Sequence, residues 1–135
     1  MKFRYSTTRV AQRPSDSLPR AEVTLTANGQ TLNVLGLVDS GSTINILPYQ
    51  IGLSLGMTWE PKNATIGLTG SLSRQKAIPV SAMGQVGSYA AVQLIFAWID
   101  TDDVPVIFGQ TNFFVEFEVH LYRAQYEFEI VPRAQ

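Results

Sequence analysis

The sequence contains no cysteine and only one histidine, His120. Disulfide bonds, thiol nucleophiles and thiolate metal sites are therefore excluded, and one imidazole does not complete a typical zinc coordination shell. A Ser-His-Asp triad would have to use His120, which alternates with apolar residues in a strand-like segment beside Glu116 and Glu118. We interpret His120 as a surface residue. No glycine-rich phosphate loop precedes a predicted helix.

Charge is scarce as well. Charged residues make up 16% of the chain, the formal net charge is −1, and no run of like charges occurs. We therefore expect neither nucleic acid nor an anionic membrane as the principal partner. Three carboxylates fall within residues 100–103, but the ligand spacing and the glycine of a calcium loop are missing. This segment is interpreted as a solvated turn.

Long hydrophobic runs are missing too. The first six residues lack the apolar stretch of about 7–15 residues that a secretory signal needs. No run approaches the roughly 20 apolar residues that span a bilayer as a helix. We expect a soluble cytoplasmic protein, or a domain excised from a longer chain.

What the sequence does contain is a globular, strand-rich pattern. Its 135 residues, 45% of them hydrophobic, fit one domain with its own core. We expect an N-terminal arm over residues 1–18 and a domain over 19–135. Residues 21–26 alternate in polarity, and Asn28-Gly29 is a strong two-residue turn signal. These features predict a hairpin whose second arm leads to Asp39.

The rest of the chain is predicted to be mostly β. Pro48 favours the start of a short helix that stops at Gly56, and a second short helix is expected from Gln110. Residues 64–67 and 72–80 predict two arms around a glycine-rich tip, either a surface hairpin or a mobile lid. Two further strands are expected within 81–99, and the C-terminal residues alternate again. The pattern predicts an all-β barrel or sandwich.

One segment carries the chemistry. Asp39-Ser40-Gly41-Ser42 lies between the apolar runs 35–38 and 44–47, where a carboxylate is costly to bury. We expect this acid to lie inside the protein and the glycine to permit close backbone approach. The remaining aspartates lack this context. If the chemistry needs two carboxylates, the second must come from another copy of the chain.

These residues resemble the Asp-Thr/Ser-Gly motif of the aspartic proteases. A half-size chain with one such motif is similar to the retropepsins, which are homodimers. The segments Ile66-Gly67-Leu68-Thr69-Gly70 and Val106-Ile107-Phe108-Gly109-Gln110 resemble, in the right order, the flap and the second apolar-glycine segment of that family. The resemblance implies a closed all-β, retropepsin-like barrel with a flap hairpin and one or two short helices.

The resemblance also implies the roles of individual residues. Two Asp39 carboxylates would face each other, share one proton and activate a water molecule. An extended peptide or protein substrate would bind in the cleft without any cofactor or metal. Active-site support would come from Ser40, Gly41 and Ser42, and the flap and pocket would comprise Ile66, Gly67, Leu68 and Ile107.

Three positions depart from the family pattern. Gln110 stands where an arginine is frequent, and Thr43 where viral members often have aspartate, so their ion pair becomes a neutral contact or none. Ser42 replaces a frequent alanine, and a hydroxyl that donates to the carboxylate would favour its ionised form and shift the optimum to more acidic pH. The second hypothesis is a dimerisation or peptide-binding module of the same fold with little or no hydrolysis.

Overall fold

The computed structural model describes residues 1–7 and 17–134, and these residues form an all-β fold with two short α-helices. The all-β prediction is confirmed. The helices are α1 (Tyr49–Ser54) and α2 (Phe113–Glu116). The strands are β1 (Lys2–Arg4), β2 (Arg20–Ala27), β3 (Gln30–Val38), β4 (Asn45–Leu47), β5 (Ile66–Gly67), β6 (Lys76–Val86), β7 (Val92–Trp98), β8 (Val106–Phe108), β9 (Phe117–Tyr122) and β10 (Glu127–Pro132).

Six strands close into a barrel. Their order is β2, β3, β8, β4, β7 and β6, and β6 pairs again with β2. Most neighbours are antiparallel, but β3 pairs with β8 and β4 with β7 in parallel. Because the sheet closes on itself, none of these six strands has a free edge. The prediction of a closed all-β barrel is confirmed.

The predicted β2–β3 hairpin is present. Ala21, Val23 and Leu25 are at most 1% exposed, while the side chains between them face outward. Asn28 and Gly29 have positive φ values of 52° and 72°, the left-handed conformation that a two-residue hairpin turn requires. Local sequence therefore determines this hairpin.

Strand β8 lies between β3 and β4, which are consecutive in the chain. The connection from β3 to β4 must therefore cross the end of β8. This crossing brings Gly109, just after β8, against the backbone of Ile44. A Cβ atom at Gly109 would lie 2.7 Å from the carbonyl carbon of Ile44, so only glycine fits without displacing the chain.

The core under this crossing is aromatic. Phe108 of β8 stacks on Phe113 of α2 with ring centroids 4.6 Å apart, and Phe113 contacts Phe117 at 4.9 Å. All three side chains are at most 2% exposed. Their burial fixes α2 against the barrel and holds the end of β8 in place.

The two helices occur near their predicted positions. Helix α1 follows Pro48, and the chain turns away at Gly56 with a φ of +76°. Helix α2 begins at Phe113, three residues later than Gln110. The acidic turn has an additional structural role, because the Oδ1 atom of Asp102 accepts a 2.9 Å hydrogen bond from the backbone N–H of Gln50 in α1.

The predicted flap region is a short hairpin. Strand β5 pairs with the start of β6 through Ile66↔Ala77 and Gly67↔Lys76. Residues Gly70–Leu72 form a turn of 3-10 helix, so the second arm does not begin at Leu72 as expected. The expected arm ends at residue 80, but β6 continues to Val86 because it pairs with β7 as far as Gly84 and with β2 as far as Val86.

A second sheet has the strand order β1, β10, β9. Strand β1 belongs to the predicted N-terminal arm. In its antiparallel pairing with β10, Lys2 lies opposite Glu129 and Arg4 opposite Glu127. Residues 8–16 of that arm lie outside the described residues, so the boundary near residue 18 stays a prediction. In the described part of the chain, no helix is long and apolar enough to cross a membrane.

Candidate active site

Asp39 begins a tight turn at the end of β3. Its N–H donates to the carbonyl oxygen of Phe108 at 3.0 Å, and its own carbonyl accepts from the N–H of Ser42 at 3.1 Å. The N–H of Gly41 donates to the Oδ1 atom of Asp39 at 2.9 Å. This hydrogen bond holds the carboxylate over its own turn. Aspartate readily forms local bonds of this kind.

Glycine at position 41 keeps this arrangement compact. A Cβ atom there would lie 3.2 Å from the Oδ1 atom of Asp39, tighter than an ordinary contact. Gly41 is also exposed, so its backbone is open to an approaching ligand. Both properties agree with the supporting role predicted for this glycine.

Asp39 is half-buried rather than enclosed. The expectation of an acid inside the protein is wrong for the single chain, and strand geometry gives the reason. Successive side chains of a strand point to opposite faces, so Val38 is 3% exposed in the core and Asp39 faces away from it. The aliphatic neighbours in sequence therefore do not surround the carboxylate.

The hydroxyl of Ser42 does not serve the carboxylate. It donates to the carbonyl oxygen of Ile44 at 2.7 Å. The expected donation to Asp39 is wrong, because the hydroxyl has a single hydrogen and donates it to a backbone carbonyl within the turn. Ser42 therefore stabilises the backbone of the crossing.

Gln110 fastens the turn to the segment after β8. Its side-chain Nε2 donates to the carbonyl oxygen of Ser40, and its backbone N–H donates to the carbonyl oxygen of Ser42 at 2.9 Å. The next N–H, of Thr111, donates to the carbonyl oxygen of Thr43 at 2.9 Å. Among the described residues, no hydrogen bond joins the side chains of Gln110 and Thr43; Gln110 bonds to the backbone of Ser40 and Ser42 instead.

A buried amide network, which sequence reasoning missed, supports the segment that crosses the end of β8. Asn45 is 1% exposed, and its Oδ1 accepts from the N–H of Gly109 at 2.7 Å. Its Nδ2 donates to the carbonyl of Ile95 at 2.9 Å and to the Oδ1 of Asn112 at 2.8 Å. The signal was one polar residue inside the aliphatic run 44–47, because such a side chain is buried only with partners.

A cleft of about 480 Å³ opens between the turn and the β5–β6 hairpin. Asp39 lies on one side of it, and the hairpin lies on the other. Seven of the eight predicted site residues line this cleft. They are Asp39, Gly41, Ser42, Ile66, Gly67, Leu68 and Ile107. The eighth, Ser40, lines a separate cavity of about 380 Å³ on the far side of Asp39.

Aliphatic side chains form the largest group in the lining of the cleft, which also has hydroxyls and the Asp39 carboxylate. Among the described residues that line it, Asp39 is the one charged side chain, and the others are aliphatic, small or hydroxyl-bearing. A smaller apolar cavity of about 310 Å³ adjoins it and shares Ile44 and Ile66 with it. No group of three or more potential metal ligands occurs within the described ranges.

We expect no Gly-x-Ser-x-Gly nucleophile elbow in this chain, although the bare spacing is present at residues 52–56. In serine hydrolases this spacing forms a sharp strand-to-helix turn that exposes the serine. Here Ser54 is the last residue of α1, so the required turn does not exist. His120 lies on β9, with its Nε2 3.7 Å from a carboxylate oxygen of Glu118 and its side chain 48% exposed, as expected for a surface residue.

Comparisons with protein-family models, with curated proteins and with solved structures find no match to this chain.

Proposed function

We propose that the protein is an aspartic endopeptidase that acts as a homodimer, with one lytic water between two Asp39 carboxylates. One observation carries the proposal. Asp39 is the single charged group in the described lining of the cleft, on a turn fastened to β8 and opposite a glycine-containing hairpin. A lone carboxylate on a fixed backbone in an apolar cleft has the setting that acid–base hydrolysis requires.

The single chain supplies half of the groups that this reaction needs. Hydrolysis of a peptide bond by carboxylates uses one to accept a proton from water and one, protonated, to donate to the carbonyl oxygen. Two carboxylates that close cannot both ionise, so they hold one proton as a pair. In a symmetric dimer the second group is the partner subunit's Asp39.

The chemistry then balances within the pair. The ionised carboxylate takes a proton from water as the water oxygen bonds to the carbonyl carbon, and the protonated carboxyl gives its proton to the carbonyl oxygen. The resulting gem-diol returns one hydroxyl proton to a carboxylate. The carbon–nitrogen bond breaks as the amine nitrogen takes the other carboxyl proton, which leaves a carboxylic acid, an amine and the singly protonated pair.

Substrate binding follows from the shape of the cleft. An extended peptide between the turn and the β5–β6 hairpin can use the exposed backbone of Gly41 and Gly67 for main-chain hydrogen bonds. Ile66, Leu68 and Ile107 offer aliphatic surface to side chains. We therefore expect apolar residues beside the cleaved bond, since charged side chains would lose hydration without gaining a partner.

The test is incubation of the purified protein with a degenerate peptide library across acidic to neutral pH, beside the Asp39→Asn variant. Asp103→Asn is the matched control, because Asp103 is exposed on the acidic turn. We expect cleavage by the wild type and by the control, and none by Asp39→Asn. Cleavage that persists in Asp39→Asn would refute the mechanism.

The peptide-binding module remains the second candidate, and the apolar lining of the cleft is what favours it. Retention of library peptides by both the wild type and Asp39→Asn, with no cleavage at any pH, would support the module. The same set of samples therefore distinguishes a protease from a module that binds peptides without cleaving them.

A further inference from the structure

The outer edge of β9 is unpaired within residues 1–7 and 17–134, where β9 pairs with β10 alone. The N–H of Ile130 in β10 donates to the carbonyl of Met1 at 2.9 Å. The carbonyl of Ile130 accepts from the Met1 ammonium at 2.8 Å. Both backbone groups of Ile130 therefore point away from β9. Ile130 lies opposite Val119. In an antiparallel ladder Val119 and Leu121 therefore direct their N–H and C=O groups to the free edge, whereas the N–H of Phe117 donates to the carbonyl of Phe113 at the end of α2.

A second copy of this edge fits antiparallel to the first. A two-fold axis through Val119 lets each Val119 exchange both hydrogen bonds with its copy, and places Leu121 opposite Phe117. It also places Glu118 opposite His120 twice, in positions where facing side chains come closest. An axis through Glu118 would set two carboxylates opposite each other, and an axis through His120 would set two imidazoles opposite each other. An axis between two residues would mismatch the backbone groups.

We propose that β9 is the dimer interface, with the two-fold axis at Val119 and with Glu118 facing the partner subunit's His120. The two three-stranded sheets then join into one sheet of six strands. The interface rests on the proposed function, because that function requires a second Asp39 from another copy of the chain. The evidence for its location is the backbone geometry and the charges of the β9 edge.

The interface lies beside the catalytic turn. Leu121, 46% exposed, lines the cavity of about 380 Å³ that Asp39 and Ser40 also line. The same cavity includes Leu18, which is 38% exposed. A partner on β9 covers apolar surface here, which adds to the stabilisation that strand pairing alone provides.

Several charged groups surround His120 at this interface. The groups that face this imidazole are Glu118 on its own strand, Glu129 opposite it on β10, and the partner subunit's Glu118, with Lys2 on β1 beyond Glu129. Tyr122 contacts Glu129 through its hydroxyl at 3.5 Å. Dimerisation adds one further carboxylate beside the imidazole of each subunit.

The first test is the Val119→Pro substitution in the Asp39→Asn background, which removes hydrolysis from the measurement. Because the N–H of Val119 faces outward, proline leaves the β9–β10 ladder intact and removes only the bond to the partner. Val119→Thr is the control that keeps the N–H. Sedimentation should show a dimer for the parent and for Val119→Thr, and a monomer with unchanged circular dichroism for Val119→Pro.

The second test exchanges charges. Glu118→Lys alone and His120→Glu alone should each weaken the dimer by roughly tenfold or more, because like charges then face across the axis. Mixing the two variants pairs Lys with Glu and Glu with His, and should restore a heterodimer. Contacts within each chain are the same before and after mixing, so only an interface of this register predicts the recovery.

Failure of this surface and failure of the proposed function give different results. A parent that stays monomeric, a Val119→Pro variant that dimerises like the parent, or a mixture that recovers nothing would overturn the β9 interface. None of these measurements uses hydrolysis. If the dimer passes both tests but the wild-type protein cleaves no peptide, the β9 interface is supported and the proposed protease activity is refuted.

Discussion

Asn45→Ala is the substitution whose effect the structure defines best. The side chain is 1% exposed and bonds to Gly109, Ile95 and Asn112 at 2.7 to 2.9 Å. Alanine would leave the N–H of Gly109 and the carbonyl of Ile95 without this partner. An orphaned buried polar group costs about 1–3 kcal/mol, so the free energy of unfolding should fall by roughly 2–5 kcal/mol.

That loss is a large part of the roughly 5–15 kcal/mol by which a domain is stable. It corresponds to a midpoint of thermal unfolding lowered by about 10–20 °C. Urea denaturation and calorimetry measure it, and amide exchange at Gly109 should accelerate. Asn33→Ala is the matched control, because Asn33 is exposed and accepts only from the hydroxyl of Thr24 at 2.7 Å. Equal losses in the two variants would refute the supporting role of Asn45.

Three further substitutions test the crossing. Gly109→Ala should destabilise the fold and abolish cleavage, because its Cβ would lie 2.7 Å from the carbonyl carbon of Ile44; a variant with wild-type melting and activity would contradict this. Gln110→Glu should lower stability at neutral pH by up to about 1 kcal/mol, because the hydrogen bond is lost but the contact is exposed to water, and stability should recover when acid protonates the carboxylate; an equal loss at both pH values would count against the contact. Ser42→Ala should cost about 1 kcal/mol and leave the acidic limb of the pH–rate profile unchanged; a shifted limb would restore a role for its hydroxyl at the catalytic acid.

Local features of the fold were predictable because they depend on neighbours in sequence. The alternation in β2 and the positive φ values at Asn28 and Gly29 follow from side-chain period and turn chemistry. Pro48 and Gly56 set the ends of α1 in the same way. The strand content of the barrel needed no knowledge of distant contacts.

The insertion of β8 between β3 and β4 was not predictable from the sequence by these means. It depends on pairings between residues about 70 positions apart, such as Leu37 with Ile107. The role of Asn45 depends on the same insertion, because its partner Gly109 arrives only with β8. The extension of β6 to Val86 likewise reflects its pairing with β7 and then with β2.

Within the site, the family resemblance predicted which residues meet but not how they bond. Asp39, Gly41, Ser42, residues 66–68 and Ile107 do line one cleft, whereas Ser40 does not. Asp39 proved half-buried because a strand turns alternate side chains to opposite faces, and the single hydroxyl hydrogen of Ser42 is donated to Ile44. Hydroxyl direction depends on which acceptors remain unsatisfied after folding, and a linear sequence does not rank them.

The central claim is that one active site uses two Asp39 carboxylates, and subunit mixing tests it directly. Wild-type and Asp39→Asn chains are unfolded together, refolded at varying ratios and constant total concentration, and assayed for peptide cleavage. If each site needs both carboxylates, activity falls as the square of the wild-type fraction, because mixed dimers are inactive. Activity that falls in simple proportion to that fraction would show that each chain cleaves by itself, and would contradict the account.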